Sequence, residues 1–141
     1  MNLRTRQDDT TVVEVRRRTG RDYTVLDLAD PGLIIVYDED VTDALLRMTF
    51  DPLHGVWWIP LFTGPVRGWP ALLREGSQEL VRRGHGDTPA LWKDTARPTV
   101  SRWLRRRSVP ITHRTFGDIL RRDGSRYEYI AITANELLAV V

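Results

Sequence analysis

The side chains with the clearest chemical pattern in this 141-residue chain are the guanidinium groups of its third quarter. Segment 98–107 carries Arg102, Arg105 and Arg106, with Thr99 and Ser101 near its start. A planar guanidinium offers forked donors that match phosphate oxygens or the edge of guanine, and short hydroxyls reach base edges or phosphates. Further on, Arg121, Arg122 and Arg126 surround Asp123-Gly124-Ser125, a tight-turn sequence, so that a basic loop is expected to act as a wing on an adjacent nucleic-acid backbone. The chemistry these groups offer is recognition of a polyanion.

Bond-making chemistry finds less support. The absence of Cys removes disulfides, thiolate zinc sites, iron–sulfur clusters and Cys nucleophiles together. His54, His85 and His113 are too far apart for a short metal motif and read as loop or surface residues. Asp38, Asp40 and Asp43 are hard-cation ligand types, but they lack calcium-loop spacing and read as dipole partners of a helix start. Arg74 to Glu79 resembles the Arg-Glu box of Nudix hydrolases only in part, because Gln78 replaces a required carboxylate. The serines have no nucleophile-elbow context, and no Gly-rich phosphate loop is present. A non-catalytic protein without a cofactor is expected.

Charge is unevenly distributed along the chain. Residues 1–65 hold 7 Arg against 11 acids, whereas 66–126 hold 13 Arg and Lys93 against 6 acids, a local excess of +8 within a net charge of +2. A GC-rich coding sequence accounts for a preference of Arg over Lys, but not for acids thinning out after residue 65. The change coincides with a Gly/Pro-rich zone from Gly64-Pro65 to Gly68-Trp69-Pro70. An acidic β-rich part, 1–65, and a basic helical part, 66–141, are expected within one compact unit. No apolar run reaches the roughly 18 residues of a membrane span, and the first nine residues are polar, so a cytoplasmic location is expected.

The elements that must position these groups follow from periodicity. Segments 10–15, 23–28 and 33–37 read as strands of a β-meander, the continuously apolar third one lying in its middle. Val41, Ala44, Leu45 and Met48 fit a short helix, and 56–62 fits a buried strand that Pro60 either places at an edge or ends early. Helices are expected over 71–83, with Leu72, Leu73, Leu80 and Val81 inward, over 89–95, and over 98–107, with Val100, Trp103 and Leu104 inward. Gly76 is a liability of about 1 kcal/mol within the first of these. A weaker helix or strand over 116–122 leads into the 123–125 turn, and 127–132 reads as a strand. Thr133 to Glu136 fits a capping box. The fold class is α+β: an N-terminal antiparallel meander packed with a mostly helical, basic region ending in a β-hairpin.

Across Thr88–Arg107 the chain resembles the helix-turn-helix of repressor-type DNA-binding proteins. Ala90 and Val100 occupy the spacing of the small residue in the first helix and the apolar residue in the second. Trp103 takes the later apolar place, and Thr99 to Leu104 is similar to a recognition-helix core. Asp94 stands where Gly is usual and Arg97-Pro98 stiffens the turn. The resemblance implies that 98–107 enters the major groove of duplex DNA, as in a small transcription regulator. The alternative is a protein-interaction or assembly module, a polymerase-binding modulator or a component of a larger particle such as a virion. It would use Trp57, Trp58 and Trp69 and the arginines against an acidic protein partner. No membrane partner is expected, and a homo-oligomer is left open.

Overall fold

The computed structural model describes residues 12–19, 23–28, 32–38, 45–64, 68–93 and 98–140. Five strands, β1 (Val12–Thr19), β2 (Tyr23–Leu28), β3 (Leu33–Asp38), β4 (Leu45–Asp51) and β5 (Val56–Phe62), run as an antiparallel meander. Helix α1 (Trp69–Arg82) then carries the chain to β6 (Ala90–Lys93), which lies parallel to β5. Helix α2 (Pro98–Arg106), β7 (Thr112–Arg114), β8 (Tyr129–Ile132) and α3 (Ala134–Leu138) follow. The eight strands form one mixed sheet in the order β1-β2-β3-β4-β5-β6-β8-β7, and the fold is α+β. A single sheet thus spans both sides of the charge boundary at residue 65.

Strand alternation divides the core into two layers. On one face Leu46, Met48, Trp57, Ile59, Trp92, Ile130 and Ile132 pack against Leu72, Leu73 and Leu80 of α1, Val100, Trp103 and Leu104 of α2, and Leu137 of α3. On the other face Val56, Leu91, Tyr129 and Ala131 are covered by Phe116, with Trp58, Ile119 and Tyr127 half-buried beside them. All three helices therefore take one face, and the connection between β7 and β8 takes the other. β3 lies between β2 and β4 with Leu33, Ile34, Ile35 and Val36 all buried, as its unbroken apolar run requires.

Two expected helices are strands where the structure describes them, with 41–44 and 94–95 lying outside the described residues. Leu45–Asp51 pairs with both β3 and β5, and Leu46, Met48 and Phe50 alternate inward, a period-two set that shares only Met48 with the spacing that suited a helix. Ala90–Lys93 is held between β5 and β8, and its buried residues fall alternately on the two faces. Flanking strands decide such short apolar runs. Segment 116–122 is turn and irregular chain. It ends in a single Leu120–Arg126 bridge about Gly124, whose φ of +85° is the glycine conformation that the turn needs.

Within α1 the inward face is rotated from the one expected, since Val81 is exposed while Glu75, Gly76, Ser77 and Glu79 are buried. Gly76 is the point of closest approach to the sheet. A Cβ there would lie 2.6 Å from Leu46 Cδ2 and 3.1 Å from Met48 Cε, so its lack of a side chain serves packing. The helix ends as its sequence requires: Gly84 adopts φ +83° while the Gly84 and His85 N–H groups donate to the Val81 and Leu80 carbonyls.

Candidate nucleic-acid interface

Helix α2 begins at Pro98, whose fixed φ suits a first turn, and is held on the sheet by Val100, Trp103 and Leu104. It ends in a Schellman motif. The Ser108 N–H donates to the Arg105 carbonyl at 3.1 Å and the Val109 N–H to the Leu104 carbonyl at 3.2 Å, with Val109 buried beside the helix end. Ser108 holds the left-handed position, φ +56°, that Gly84 fills after α1.

With one side pinned, Thr99, Arg102, Arg105 and Arg106 are all exposed. Arg102 Nη2 donates to Thr99 Oγ1 at 3.3 Å, which orders the first turn of that face. Arg107 lies over the Trp103 ring, 4.0 Å from its centroid. Arg105 and Arg106 occupy the last turn, where positive charge complements the helix dipole. Among the described residues, no carboxylate pairs with Arg102, Arg105 or Arg106.

Ser101 does not belong to this face, because it is 1% exposed and points into the helix–sheet layer. Of the expected first helix of a two-helix motif, 90–93 is strand β6 instead, and 94–95 lie outside the described residues. Arg121, Arg122 and Arg126 are exposed around a well-formed turn, in which Asp123 Oδ1 accepts from the Ser125 N–H at 2.9 Å and its hydroxyl at 2.6 Å. The loop carrying them packs on the sheet face opposite α2, so the two arginine groups do not form one surface.

The tryptophans proposed as an interface are largely structural. Trp57 and Trp69 are buried in the helix-side core, with the Trp69 and Trp103 rings edge to face at 5.9 Å. Trp58 is half-buried, and its Nε1 donates to Asp51 Oδ2 at 2.9 Å. Asp40 and Asp43 lie outside the described residues.

One charged cluster escaped the sequence. His54 Nδ1 contacts Asp51 Oδ2 at 2.5 Å, its Nε2 contacts Asp118 Oδ2 at 2.9 Å, and its ring meets Phe116 edge on at 4.7 Å. Hydrogen bonding to Asp118, then to Asp51, raises the His54 pKa. The Asp118 pKa is lowered chiefly by its bond to His54. At Asp51 burial pushes upward, but the bonds from Trp58 and His54 prevail and the value is lowered. With both ring nitrogens engaged by carboxylates, the imidazolium form is favoured and neither nitrogen is available as a base or a metal ligand. The cluster is a clamp: it ties the β4–β5 turn to the β7–β8 connection. The Asp-Pro-Leu-His-Gly turn was visible in the sequence, but nothing there marked Asp118 as its partner.

No family model matches the chain, and comparison with curated proteins and with solved structures likewise finds no match. Among the described residues no helix is long and apolar enough to cross a membrane.

Proposed function

We propose that this is a non-catalytic nucleic-acid-binding protein, of the kind that serves transcription regulation, and that α2 is the element laid against duplex DNA. The supporting observation is the row of Arg102, Arg105 and Arg106 on the exposed side of one anchored helix, with no carboxylate partner among the described residues. A guanidinium already neutralised by an internal acid has little to offer a phosphate, whereas among the described residues none of these three has such an acid. A nine-residue helix spans about 13 Å, enough to follow several phosphates along a groove edge. With Ser101 turned inward, Thr99 is the one short polar side chain left on that face near the helix start. Phosphate contacts then carry most of the affinity, which makes binding strongly salt-dependent and weakly dependent on sequence.

Titration of the whole chain with a fluorescent duplex at two or more salt concentrations tests this. Replacing Arg102, Arg105 and Arg106 together by Ala should weaken binding and flatten the dependence of log K on log salt by about three units of slope, roughly one per lost phosphate contact. Replacing Arg121, Arg122 and Arg126 instead should leave both nearly unchanged. Equal losses from the two triple variants would overturn the assignment to α2, and no salt-sensitive binding by the wild-type chain would overturn nucleic-acid recognition itself.

A further inference from the structure

The sheet contains a split on the face away from α2. β5 and β6 pair only at Trp57–Ala90 and Trp58–Leu91. Beyond that point β6 stays with β8 as far as Lys93–Tyr129, whereas β5 bends with β4. The bend has a local cause. Arg47 pairs with Leu61 and Thr49 with Trp58, so Ile59 and Pro60 together oppose Met48, and Pro60 has no N–H to give a neighbour. A bulge with a proline in it re-aims the strand, and the carboxyl ends of two parallel strands part.

A cavity of about 500 Å³ occupies this crevice, within the range of small-molecule sites. Trp58, Leu91, Tyr129 and Ile119 give it apolar and aromatic walls, Pro60 lies at the bend, and Lys93 is the only cationic lining residue among the described ones. Lys93 is the one lysine in the chain. Its ammonium lies over the Tyr127 ring at 4.1 Å from the centroid, and the Arg121 guanidinium approaches the same ring at 5.3 Å. Among the described carboxylates, Asp51, bonded to Trp58, and Asp118, beside Ile119 in the chain, are both engaged by His54, and Glu128 pairs with His113. At the edge of this aromatic-walled hollow the Lys93 ammonium has the Tyr127 ring beside it and, among the described residues, no carboxylate partner.

We infer that the crevice between the ends of β5 and β6 is a binding site for a small aromatic monoanion, a carboxylate or sulfonate, whose ring enters between Trp58, Tyr129 and Leu91 and whose charge meets Lys93. A neutral apolar molecule would leave the ammonium unused, and a polyanion would have to desolvate charge against these apolar walls. The site is on the face opposite α2 and does not depend on nucleic-acid binding.

The test uses the whole chain and two probes, 8-anilinonaphthalene-1-sulfonate and its uncharged counterpart N-phenyl-1-naphthylamine. The sulfonate should bind at one saturable site with enhanced fluorescence. Lys93→Met, at an exposed position, should weaken it by about tenfold while leaving the uncharged probe unchanged, and Lys93→Arg should restore most of the affinity. Ile119→Trp, which fills the hollow, should remove both probes, with thermal unfolding confirming that the variant is folded. Absence of saturable sulfonate binding would overturn the proposal, as would binding to which Lys93→Met makes no difference. If Ile119→Trp does not fold, the Lys93 pair alone decides.

Discussion

His54 and Asp118, 64 residues apart in the chain, meet with Nε2 at 2.9 Å from a carboxylate oxygen, and the contact joins two loops on the same sheet face. Asp51 holds the other ring nitrogen and Trp58 at once. The protonated imidazole is the form that satisfies both acids, and this gives the contact a defined pH window.

Because the His54 pKa is raised in the fold, its contribution is fully present below the ordinary histidine range and is lost as pH rises through the raised value. The lowered values of Asp118 and Asp51 act in the opposite sense, contributing above the ordinary carboxylate range and failing as pH falls through the depressed values. The clamp should hold between those limits. Titration of the His54 ring protons by NMR should give a midpoint above that of an unperturbed histidine, and Asp118→Asn should move it downward. An unmoved midpoint would show that Asp118 does not carry the interaction.

Gly76→Ala should destabilise the protein by about 1 kcal/mol even though alanine is the better helix former. The propensity gain is about 1 kcal/mol, whereas forcing a methyl into a packed layer costs about 1–3 kcal/mol. Here the added carbon would lie 2.6 Å from Leu46 Cδ2, and Leu46 is fully buried. The urea midpoint decides: a more stable variant would mean that Leu46 yields without cost.

Ser108→Gly should act the other way. A residue with a Cβ pays about 1–2 kcal/mol in the left-handed region, and glycine's extra backbone entropy returns about half of that saving. With Ser108 at φ +56°, a gain of about 0.5–1 kcal/mol is expected in the same unfolding experiment, with the α2 surface unchanged.

Arg83 should prove a structural arginine. Its Nε donates to the fully buried Glu79 Oε1 at 3.1 Å and its Nη1 to the Leu33 carbonyl at 3.2 Å, joining α1 to the start of β3. Arg83→Met leaves a buried carboxylate with less compensation and should cost about 1–3 kcal/mol, while Arg83→Lys, which keeps the charge but not the fork, should cost less. DNA affinity, measured alongside, should not change for either folded variant.

What could be read in advance was what a short stretch of chain decides for itself. Helix α2 was legible from Pro98 at its first turn, the apolar spacing of Val100, Trp103 and Leu104, and the stop before Pro110. The capping box at Thr133 is present, with Thr133 Oγ1 accepting from the Glu136 N–H at 3.2 Å and Glu136 Oε1 accepting from the Thr133 N–H at 2.9 Å. The 123–125 turn, the meander and the α+β class were equally local inferences. Leu45–Asp51 reads as helix from the spacing of Val41, Ala44, Leu45 and Met48 although Leu46, Met48 and Phe50 also alternate, and the short apolar run of Ala90–Lys93 fits either period; only the strands alongside choose between them. Ser101 was misplaced for a related reason: spacing set the helix but not how far the sheet wraps around it.

The sequence by itself determined the meander strands, helices α1 and α2, the 123–125 turn and the concentration of arginine after residue 65, since these follow from side chains within a turn or two of each other. The tertiary structure decided sidedness. It put the three helices on one face of the sheet and the 115–128 connection on the other, separating arginines that look continuous in the chain. It also brought Asp118 to His54 and opened the crevice beside Lys93. Those outcomes depend on which strands pair and where pairing stops, and pairing energy is shared between segments that lie far apart in the sequence.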